Sequence, residues 1–381
     1  MPDHLVGRGA KASAPCPVDQ ALPALFKKLD LWRQDFGAPF LIALSGGGDS
    51  MALCCLAARW AQEHGGQLYA VSIDHGLRPE AAQEAAQAIA WAQALGLQGE
   101  VLKLAQKPAY GGLQAWAREA RYRALAGIAA RIGAKLILIG HTWDDQVETV
   151  CWRLARQSGL DGLAGMAELA ANSFAASEAP NVLGRPLLGL KRADLRLWLA
   201  REGQAWLEDD SNQNLDFARI RTRKLVREMA AQGVEFARII RLAAMADRLR
   251  TAQEQACFDL LKRCGLSPIE AGWRLDGPAL LQAEALIGER ALGWLIYSLT
   301  QAERPPEAEK LGRLWASLQS NPTRAKTLAG VWACQKGSHF LVKCAPPRRD
   351  QKPVDSPTVQ SQYRRLFAVS RQPHKFVTQL N

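Results

Sequence analysis

The feature that most constrains the fold is an alternation of short strand-like runs with helical segments across residues 40–157. Each run has five or six residues, the length of a buried strand, and a segment with helical periodicity follows it. This order predicts an α/β domain in which a parallel sheet carries helices on both faces. Ligands bind at the carboxyl ends of the strands in such sheets, so the residues after each run are candidate site residues. The four runs are Phe40–Leu44, Leu68–Ile73, Glu100–Leu104 and Lys135–Gly140.

A glycine-rich hexapeptide separates the first run from the first helix of this pattern. Glycine lets the backbone approach a ligand closely, and the amides at the start of the following helix attract an anion. Asp49 would repel a bare phosphate, so its carboxylate indicates Mg²⁺ between the two groups. We predict a phosphate-binding loop with Asp49 as a catalytic residue and Mg²⁺ ligand; an ordinary glycine turn is the alternative. The loop residues are Ser45, Gly46, Gly47, Gly48, Asp49 and Ser50.

The loop differs from two better-known phosphate-binding patterns. It lacks the Gly-Lys-Ser/Thr ending of a Walker A loop. Its glycines are consecutive, whereas those of the dinucleotide fingerprint are spaced. The hexapeptide therefore indicates a third kind of phosphate site.

A second group of polar residues follows the fourth run. His141 comes at the predicted strand end, and Asp144, Asp145 and Glu148 begin the next helix. Residues four apart share a helix face, so Asp144 and Glu148 lie together. A carboxylate cluster can hold an ammonium group, hold Mg²⁺ or accept a proton, and the sequence leaves these roles open among the three acids. Capping of the helix by the two aspartates is the alternative.

Several arginines are candidate anion ligands. Arg118 lies three residues before Arg121 on a predicted helix, and we predict that it is a catalytic residue that meets a phosphate or a substrate carboxylate through two hydrogen bonds. Arg219, Arg221 and Arg223 belong to a basic helical stretch and are candidate contacts to nucleic-acid phosphates. A solvated helix face is the alternative in both places.

Composition excludes several classes of protein. Hydrophobic residues make up 48% and charged residues 22% of the chain, which excludes wholesale disorder, collagen and a simple coiled coil. No stretch approaches the ~20 apolar residues of a membrane-spanning helix, so we expect no membrane association. The amino terminus lacks the apolar core of a signal peptide, so we expect a cytoplasmic protein. The net charge of +11 favours a polyanionic partner, nucleic acid first.

The hexapeptide after a first strand resembles the pyrophosphate-binding loop (PP-loop) of the N-type ATP pyrophosphatases. Further segments resemble one family in that superfamily, the tRNA(Ile)-lysidine synthetases, also called synthases. The resemblance covers residues 39–230 in order. Its segments are Ser72–Arg78 (SIDHGLR), His141–Thr149 (HTWDDQVET) and Ser158–Met166 (SGLDGLAGM), with weaker matches at Ala117–Tyr122 and Trp206–Asn212.

This resemblance implies a Rossmann-like, adenine-nucleotide-alpha-hydrolase-like fold and a ligase that uses ATP and Mg²⁺. The implied reaction joins free L-lysine to the wobble cytidine of the isoleucine tRNA with a CAU anticodon and releases AMP and pyrophosphate. Codon reading changes from AUG to AUA. No obligatory protein partner is evident, and a homodimer is left open.

Two alternatives stay open at this point. A tRNA thiolase of the same superfamily needs a persulfide cysteine or a cysteine-ligated cluster, and the eight cysteines show no C-x-x-C spacing. A non-enzymatic RNA-binding protein that kept the nucleotide fold is the second alternative, and the intact loop argues against it.

The resemblance and the composition together predict five regions. After the catalytic domain we expect a helical linker and a smaller α+β domain. The regions are a flexible leader (1–20), an ATP-pyrophosphatase catalytic domain (21–215), a basic helical linker (216–256), a C-terminal tRNA-binding domain (257–345) and a basic, disordered tail (346–381).

Overall fold

The computed structural model describes most of the chain between residues 16 and 345. The described residues are 16–74, 76, 80–104, 113–156, 160–172, 174–175, 180–208, 217–300 and 305–345, with the backbone alone at 113–115, 117, 160 and 217–221. Several sequence predictions lie outside them. These are the leader up to residue 15, His75, Leu77 and Arg78, Ser158 and Gly159, Asp209–Asn212, the side chains of Arg219 and Arg221, and the tail 346–381.

A six-stranded sheet forms the centre of the amino-terminal part. Its strand order is β3-β2-β1-β4-β6-β5, with all neighbours parallel except β5, which runs antiparallel to β6. The predicted α/β fold with a mostly parallel sheet is confirmed. The strands are β1 (Phe40–Ala43), β2 (Leu68–Asp74), β3 (Gln98–Lys103), β4 (Leu136–Ile139), β5 (Leu169–Ala171) and β6 (Val182–Gly184).

Helices connect and cover these strands. The first begins at Pro17, so the last residues assigned to the flexible leader are helical. The helices are α1 (Pro17–Phe36), α2 (Gly48–His64), α3 (Ala81–Ala94), α4 (Leu113–Ile132), α5 (Trp143–Ala155), α6 (Leu160–Leu163), α7 (Arg192–Arg201), α8 (Phe217–Ala231) and α9 (Phe236–Arg263).

Both faces of the sheet are buried, which explains why its central strands read as continuous apolar runs. Successive strand side chains point to opposite faces. Phe40 and Ile42 of β1 therefore pack in the core with α1, α2, α3 and α7. Leu41, between them, packs with Tyr122 and Leu125 of α4 on the other face.

The order of the strands creates a crevice at their carboxyl ends. The chain moves outward from β1 through β2 to β3, and then returns to the other side of β1 as β4. Ligands bind at such a reversal in open α/β sheets. Gly140, after β4, lies so close to α2 that a Cβ atom there would be 2.9 Å from the Asp49 carbonyl oxygen. The loop after β1 and the segment after β4 thus share one crevice.

The carboxyl-terminal part has a second, antiparallel sheet with strand order β7-β8-β11-β10-β9. Trp273, Trp315 and Phe340 are fully buried in its core. The predicted smaller α+β region is confirmed. Its elements are β7 (Ser267–Ile269), β8 (Gly272–Asp276), α10 (Gly277–Leu281), α11 (Ala285–Ser298), α12 (Ala308–Ser320), β9 (Lys326–Leu328), β10 (Val331–Lys336) and β11 (His339–Cys344).

The chain divides between Asp247 and Arg248 into two compact units. This division lies within α9, which continues past residue 256. The predicted end of the linker therefore falls inside a helix, because the helical periodicity does not stop there. No helix in the described ranges combines the length and the apolar character that crossing a membrane requires.

Candidate active site

The glycine-rich loop joins the end of β1 to the start of α2. Gly46 has a φ of +83°, a conformation that glycine adopts without strain. The carbonyl oxygen of Gly46 accepts a hydrogen bond from the amide of Leu207 at 2.9 Å, and Gly47 forms an isolated parallel bridge with the same residue. The loop is therefore held from outside by a segment far along the chain.

Two serine hydroxyls fix the shape of the loop. The Ser50 hydroxyl donates to the Gly47 carbonyl oxygen at 2.9 Å and accepts from the Ser45 amide at 3.2 Å. The hydroxyl oxygens of Ser45 and Ser50 are 3.0 Å apart. The first intrahelical bond of α2 runs from the Met51 amide to the Gly47 carbonyl oxygen. The amides that precede Met51 lie at the positive end of the helix, where an anion is favoured.

Asp49 meets the acidic motif through Arg192, the first residue of α7. The Arg192 Nε donates to Asp49 Oδ2 at 2.8 Å, and a terminal guanidinium nitrogen donates to Asp145 Oδ1 at 3.1 Å. The backbone amide of Arg192 donates to Asp144 Oδ2 at 2.8 Å. Burial disfavours the charged guanidinium, but Asp49 and Asp145 outweigh it and raise the pKa of Arg192 above its ordinary value. One residue therefore connects the loop to both aspartates of the motif, through its guanidinium to Asp145 and through its backbone amide to Asp144.

One carboxylate oxygen of Asp49 is unpaired within the described residues. Its Oδ1 atom is buried and has no hydrogen-bond partner within the described part of the chain. Burial raises the pKa of Asp49, and Arg192 opposes this shift. The described residues contain no group of three or more His, Cys, Asp or Glu side chains able to hold a metal. A single carboxylate oxygen fits Mg²⁺ bound together with phosphate, since this ion often takes only one or two carboxylates.

Asp145 also caps α5, as the alternative interpretation of the sequence predicts. Its Oδ2 atom accepts from the Thr142 amide at 2.8 Å and from the Thr142 hydroxyl at 3.0 Å. These bonds satisfy groups at the helix start. They also aim Oδ1 at Arg192, so capping and site geometry use the two oxygens of the same carboxylate.

Glu148 lies one turn further along α5 and pairs with Arg223 of α8. The Arg223 Nε donates to Glu148 Oε1 at 2.9 Å. The Glu148 side chain is 13% exposed. Burial raises the pKa of Glu148, and Arg223 opposes this shift. The structure therefore places Arg223 beside a carboxylate of the acidic motif, while its contact with nucleic acid stays a prediction.

His141 contacts the buried Arg185, which follows β6. The Arg185 Nε donates to His141 Nδ1 at 3.1 Å, and another guanidinium nitrogen donates to the Ala167 carbonyl oxygen at 2.8 Å. An arginine can only donate, so Nδ1 accepts, and the neutral imidazole carries its hydrogen on Nε2. His141 is thus oriented as a hydrogen-bond donor through Nε2.

Comparison with known proteins decides the family. The PP-loop domain family matches residues 21–229. A tRNA(Ile)-lysidine synthase from Rhodopseudomonas palustris is 37% identical over 81% of this chain and 91% of its own length. One from Bradyrhizobium sp. (strain BTAi1) is 41% identical over 81% and 90%. One from Methylobacterium sp. (strain 4-46) is 35% identical over 90% and 98%. The chain belongs to the tRNA(Ile)-lysidine synthase family.

The resemblance to the tRNA(Ile)-lysidine synthase family and the expectation of an ATP-utilising ligase are confirmed.

Arg118 is an exception to the clustering of the candidate site residues. Its guanidinium lies 5.0 Å from the centre of the Tyr122 ring. Among the described contacts of Arg118, none is with the loop or the acidic motif. Its catalytic role stays a prediction.

Sequence reasoning missed two arginines of this tRNA(Ile)-lysidine synthase site, Arg185 and Arg192. Both follow β6, a strand of three residues that pairs in parallel with β4. The carboxyl end of β6 therefore opens at the same edge as those of β1 and β4. The short apolar pair Val182–Leu183 is the sequence signal that could have identified both arginines, because residues that follow a parallel strand are candidate site residues.

We expect Gly46→Ala to destabilise this tRNA(Ile)-lysidine synthase fold. A non-glycine residue at positive φ costs about 1–2 kcal/mol. In addition, a Cβ atom there would lie 2.5 Å from Leu207 Cδ1. The measurement is thermal unfolding of both variants of a matched pair, Gly46→Ala and Gly47→Ala. At Gly47 the nearest atom is 3.7 Å away, so we expect little change, and equal melting temperatures for the pair would contradict the argument.

Proposed function

We propose that this chain ligates free L-lysine to the wobble cytidine of the isoleucine tRNA with a CAU anticodon, which changes codon reading from AUG to AUA. The reaction consumes ATP, passes through an adenylated cytidine and releases AMP and pyrophosphate. Family membership supports ATP as co-substrate and a tRNA as acceptor. The observation that carries the proposal is the Arg192 side chain, because it joins Asp49 of the PP-loop to Asp145 of the acidic motif.

In the first step, the ring carbonyl oxygen of cytosine attacks the α-phosphate of ATP, and pyrophosphate leaves. The amides at the start of α2 bind the pyrophosphate portion, and the hydroxyls of Ser45 and Ser50 hold the loop in shape around it. Arg192 lies beside these groups and offsets negative charge that develops during the transfer. Holding the reacting groups in line supplies much of the acceleration.

A magnesium ion fits this step at Asp49. The unpaired, buried Oδ1 atom of Asp49 supplies the carboxylate oxygen. When bound, Mg²⁺ polarises and neutralises the phosphate oxygens. Asp49 would hold the ion, and Arg192 would keep the second oxygen of the carboxylate in place.

In the second step, the ε-amine of lysine attacks the activated ring carbon, and AMP leaves. Asp145 and Glu148 lie three residues apart on α5 and present carboxylates to the same side of the helix. We assign binding of the lysine ammonium groups to this acidic motif, including Asp144. We assign proton acceptance to Glu148, because burial raises its pKa and a carboxylate of raised pKa takes up a proton more readily.

The remaining contacts with tRNA are proposed for basic residues and for the second unit. Arg219, Arg221 and Arg223 are the proposed ligands of tRNA phosphates, and residues 257–345 are the proposed tRNA-binding domain. Arg118 is proposed as a catalytic residue that binds a phosphate or the substrate carboxylate. Because tRNA is the acceptor, we place the reaction in the cytoplasm.

Sulfur transfer is the less favoured chemistry for this fold. Burial raises the pKa of Cys54 and, with other effects, of Cys55 to about 12. A thiol with such a pKa supplies almost no thiolate at neutral pH, and the thiolate is the reactive form. These two cysteines are thus poor carriers of a persulfide.

The test is AMP release from ATP with a transcript of the CAU-anticodon isoleucine tRNA, with and without labelled lysine. We expect AMP only when tRNA and lysine are both present, together with label in the RNA. AMP formation that requires tRNA but not lysine would indicate that a group other than lysine is transferred, with sulfur as the first candidate. Absence of AMP with tRNA still bound would favour a non-enzymatic RNA-binding protein.

A further inference from the structure

Helix α5 continues the active-site face beyond the two acids. Asp145, Glu148, Trp152 and Arg156 follow one another at spacings of three, four and four residues. At 3.6 residues per turn, these positions form one stripe along the helix and its end. The stripe thus carries carboxylates at the crevice and an aromatic ring with a cation further along.

Trp152 and Arg156 form an exposed stack. The Arg156 guanidinium carbon is 4.3 Å from the centre of the Trp152 ring. Trp152 is 36% exposed, unlike the buried Trp60 and Trp198 of the same unit. A large ring left in water with a guanidinium against it offers two flat surfaces that can stack on a nucleic-acid base.

The position of this stack relates it to the reaction. Trp152 lies seven residues after Asp145, so it is about 10 Å along the helix axis from the acidic motif. The RNA backbone keeps the nucleotide next to the reacting one close to it, so the base of that nucleotide can reach a side chain at this distance. A base that is not paired in a loop exposes its flat face and stacks on aromatic or arginine side chains.

We propose that Trp152 and Arg156 form a stacking platform for an unpaired base adjacent to the modified cytidine. The proposal rests on the proposed function, since it takes an RNA loop as the occupant. The positive charge of Arg156 complements the RNA backbone. A protein partner fits less well, because Leu154, another exposed apolar residue of α5, lies on the opposite side of the helix. The two side chains thus form no continuous apolar patch.

The test uses full-length protein and a fluorescently labelled anticodon stem-loop with a CAU anticodon, with binding followed by anisotropy. Loss of one base–aromatic stack weakens binding by about 5-fold or more, so we expect that loss in Trp152→Ala. Trp152→Phe keeps a ring and should bind nearly as well as the wild type. The matched control is Leu154→Ala, on the same helix with its side chain turned away, and it should bind like the wild type.

A second set of stem-loops identifies the base that stacks. Each carries an abasic nucleotide at one loop position. With the stem-loop that lacks the stacked base, we expect Trp152→Ala to bind as tightly as the wild type, because the contact is already absent there. The platform is refuted if Trp152→Ala binds every loop as the wild type does, or if its penalty is the same with all abasic loops.

The design separates this proposal from the proposed function. Lysine- and tRNA-dependent AMP formation by the wild type tests the function alone. If that activity is present and Trp152→Ala has an unchanged KM for tRNA, only the platform fails. If the wild type neither binds the stem-loop nor forms AMP with tRNA, the function fails, and the platform fails with it.

Discussion

Asp49→Asn is expected to reduce AMP formation by about 1,000-fold while tRNA binding persists. Asparagine keeps the shape of the side chain but removes the charge that a bound magnesium ion and Arg192 both use. Electrostatic stabilisation by a metal is worth several kcal/mol, and each 1.36 kcal/mol is a factor of ten in rate. The measurements are single-turnover AMP release and tRNA binding. Wild-type turnover in this variant would remove Asp49 from the mechanism.

The same variant should be more stable than the wild type at neutral pH. Because burial raises the pKa of Asp49 in the folded state, its ionised form is less favourable there than in the unfolded chain. The stability that this carboxyl contributes is therefore present below its ordinary pKa of 3.8 and is lost as pH rises through the folded value. We expect the melting-temperature gain of Asp49→Asn to vanish on acidification to below 3.8. Glu80→Gln, which alters an exposed carboxylate, is the control and should show no such gain.

Arg192→Met is expected to lower both stability and activity. The substitution leaves Asp49 and Asp145 without their shared cation, so two partly buried carboxylates face each other. The Arg192 side chain is 25% exposed, so its ion pairs are neither fully solvated nor fully buried. Their contribution to stability therefore lies between those of surface and buried ion pairs. We expect a loss of about 2 kcal/mol in the free energy of unfolding, measured by urea denaturation, and AMP release well below that of the wild type.

A second substitution tests the cause of that loss. In the double variant Arg192→Met with Asp49→Asn, one of the two facing charges is gone, so we expect much of the stability to return. Arg196→Met is the matched control, since Arg196 lies one turn further along α7 and pairs with Glu208 at a more exposed position. If Arg192→Met and Arg196→Met lose equal stability, the role of Arg192 as a shared cation is wrong.

Much of the fold follows from local sequence patterns. Residues 40–44 and 135–140 are apolar throughout their centres because both faces of the sheet are covered, and this makes the strands visible in the sequence. The positions of Asp49 and Asp145 follow from the rule that ligands bind at the carboxyl ends of parallel strands. The edge strand β5 was not predicted, since three residues of half-buried chain carry too weak a pattern.

The charge pairs of the site could not be predicted in the same way. An arginine on a helix has the same local sequence whether it faces water or a carboxylate. The sequence therefore predicts a contact with nucleic acid or a solvated helix face for Arg223, whereas the structure places it against Glu148. Arg192 is aimed at Asp49 by the packing of α7 on α2, and that packing joins residues 143 positions apart. Pairings of this kind depend on the complete tertiary structure.

The glycine-rich loop is far along the chain from the residues that hold it, Leu207 and Arg192. This separation has a consequence for synthesis on the ribosome. Gly46 takes its final hydrogen bond from Leu207, and Asp49 takes its cation from Arg192. At about 5–20 residues per second, translation reaches these partners roughly 7 to 32 seconds after the loop itself. A nascent chain therefore carries the whole hexapeptide for that interval without its contacts to Leu207 and Arg192. Competence to hold a nucleotide arises late, when most of the first unit has been made.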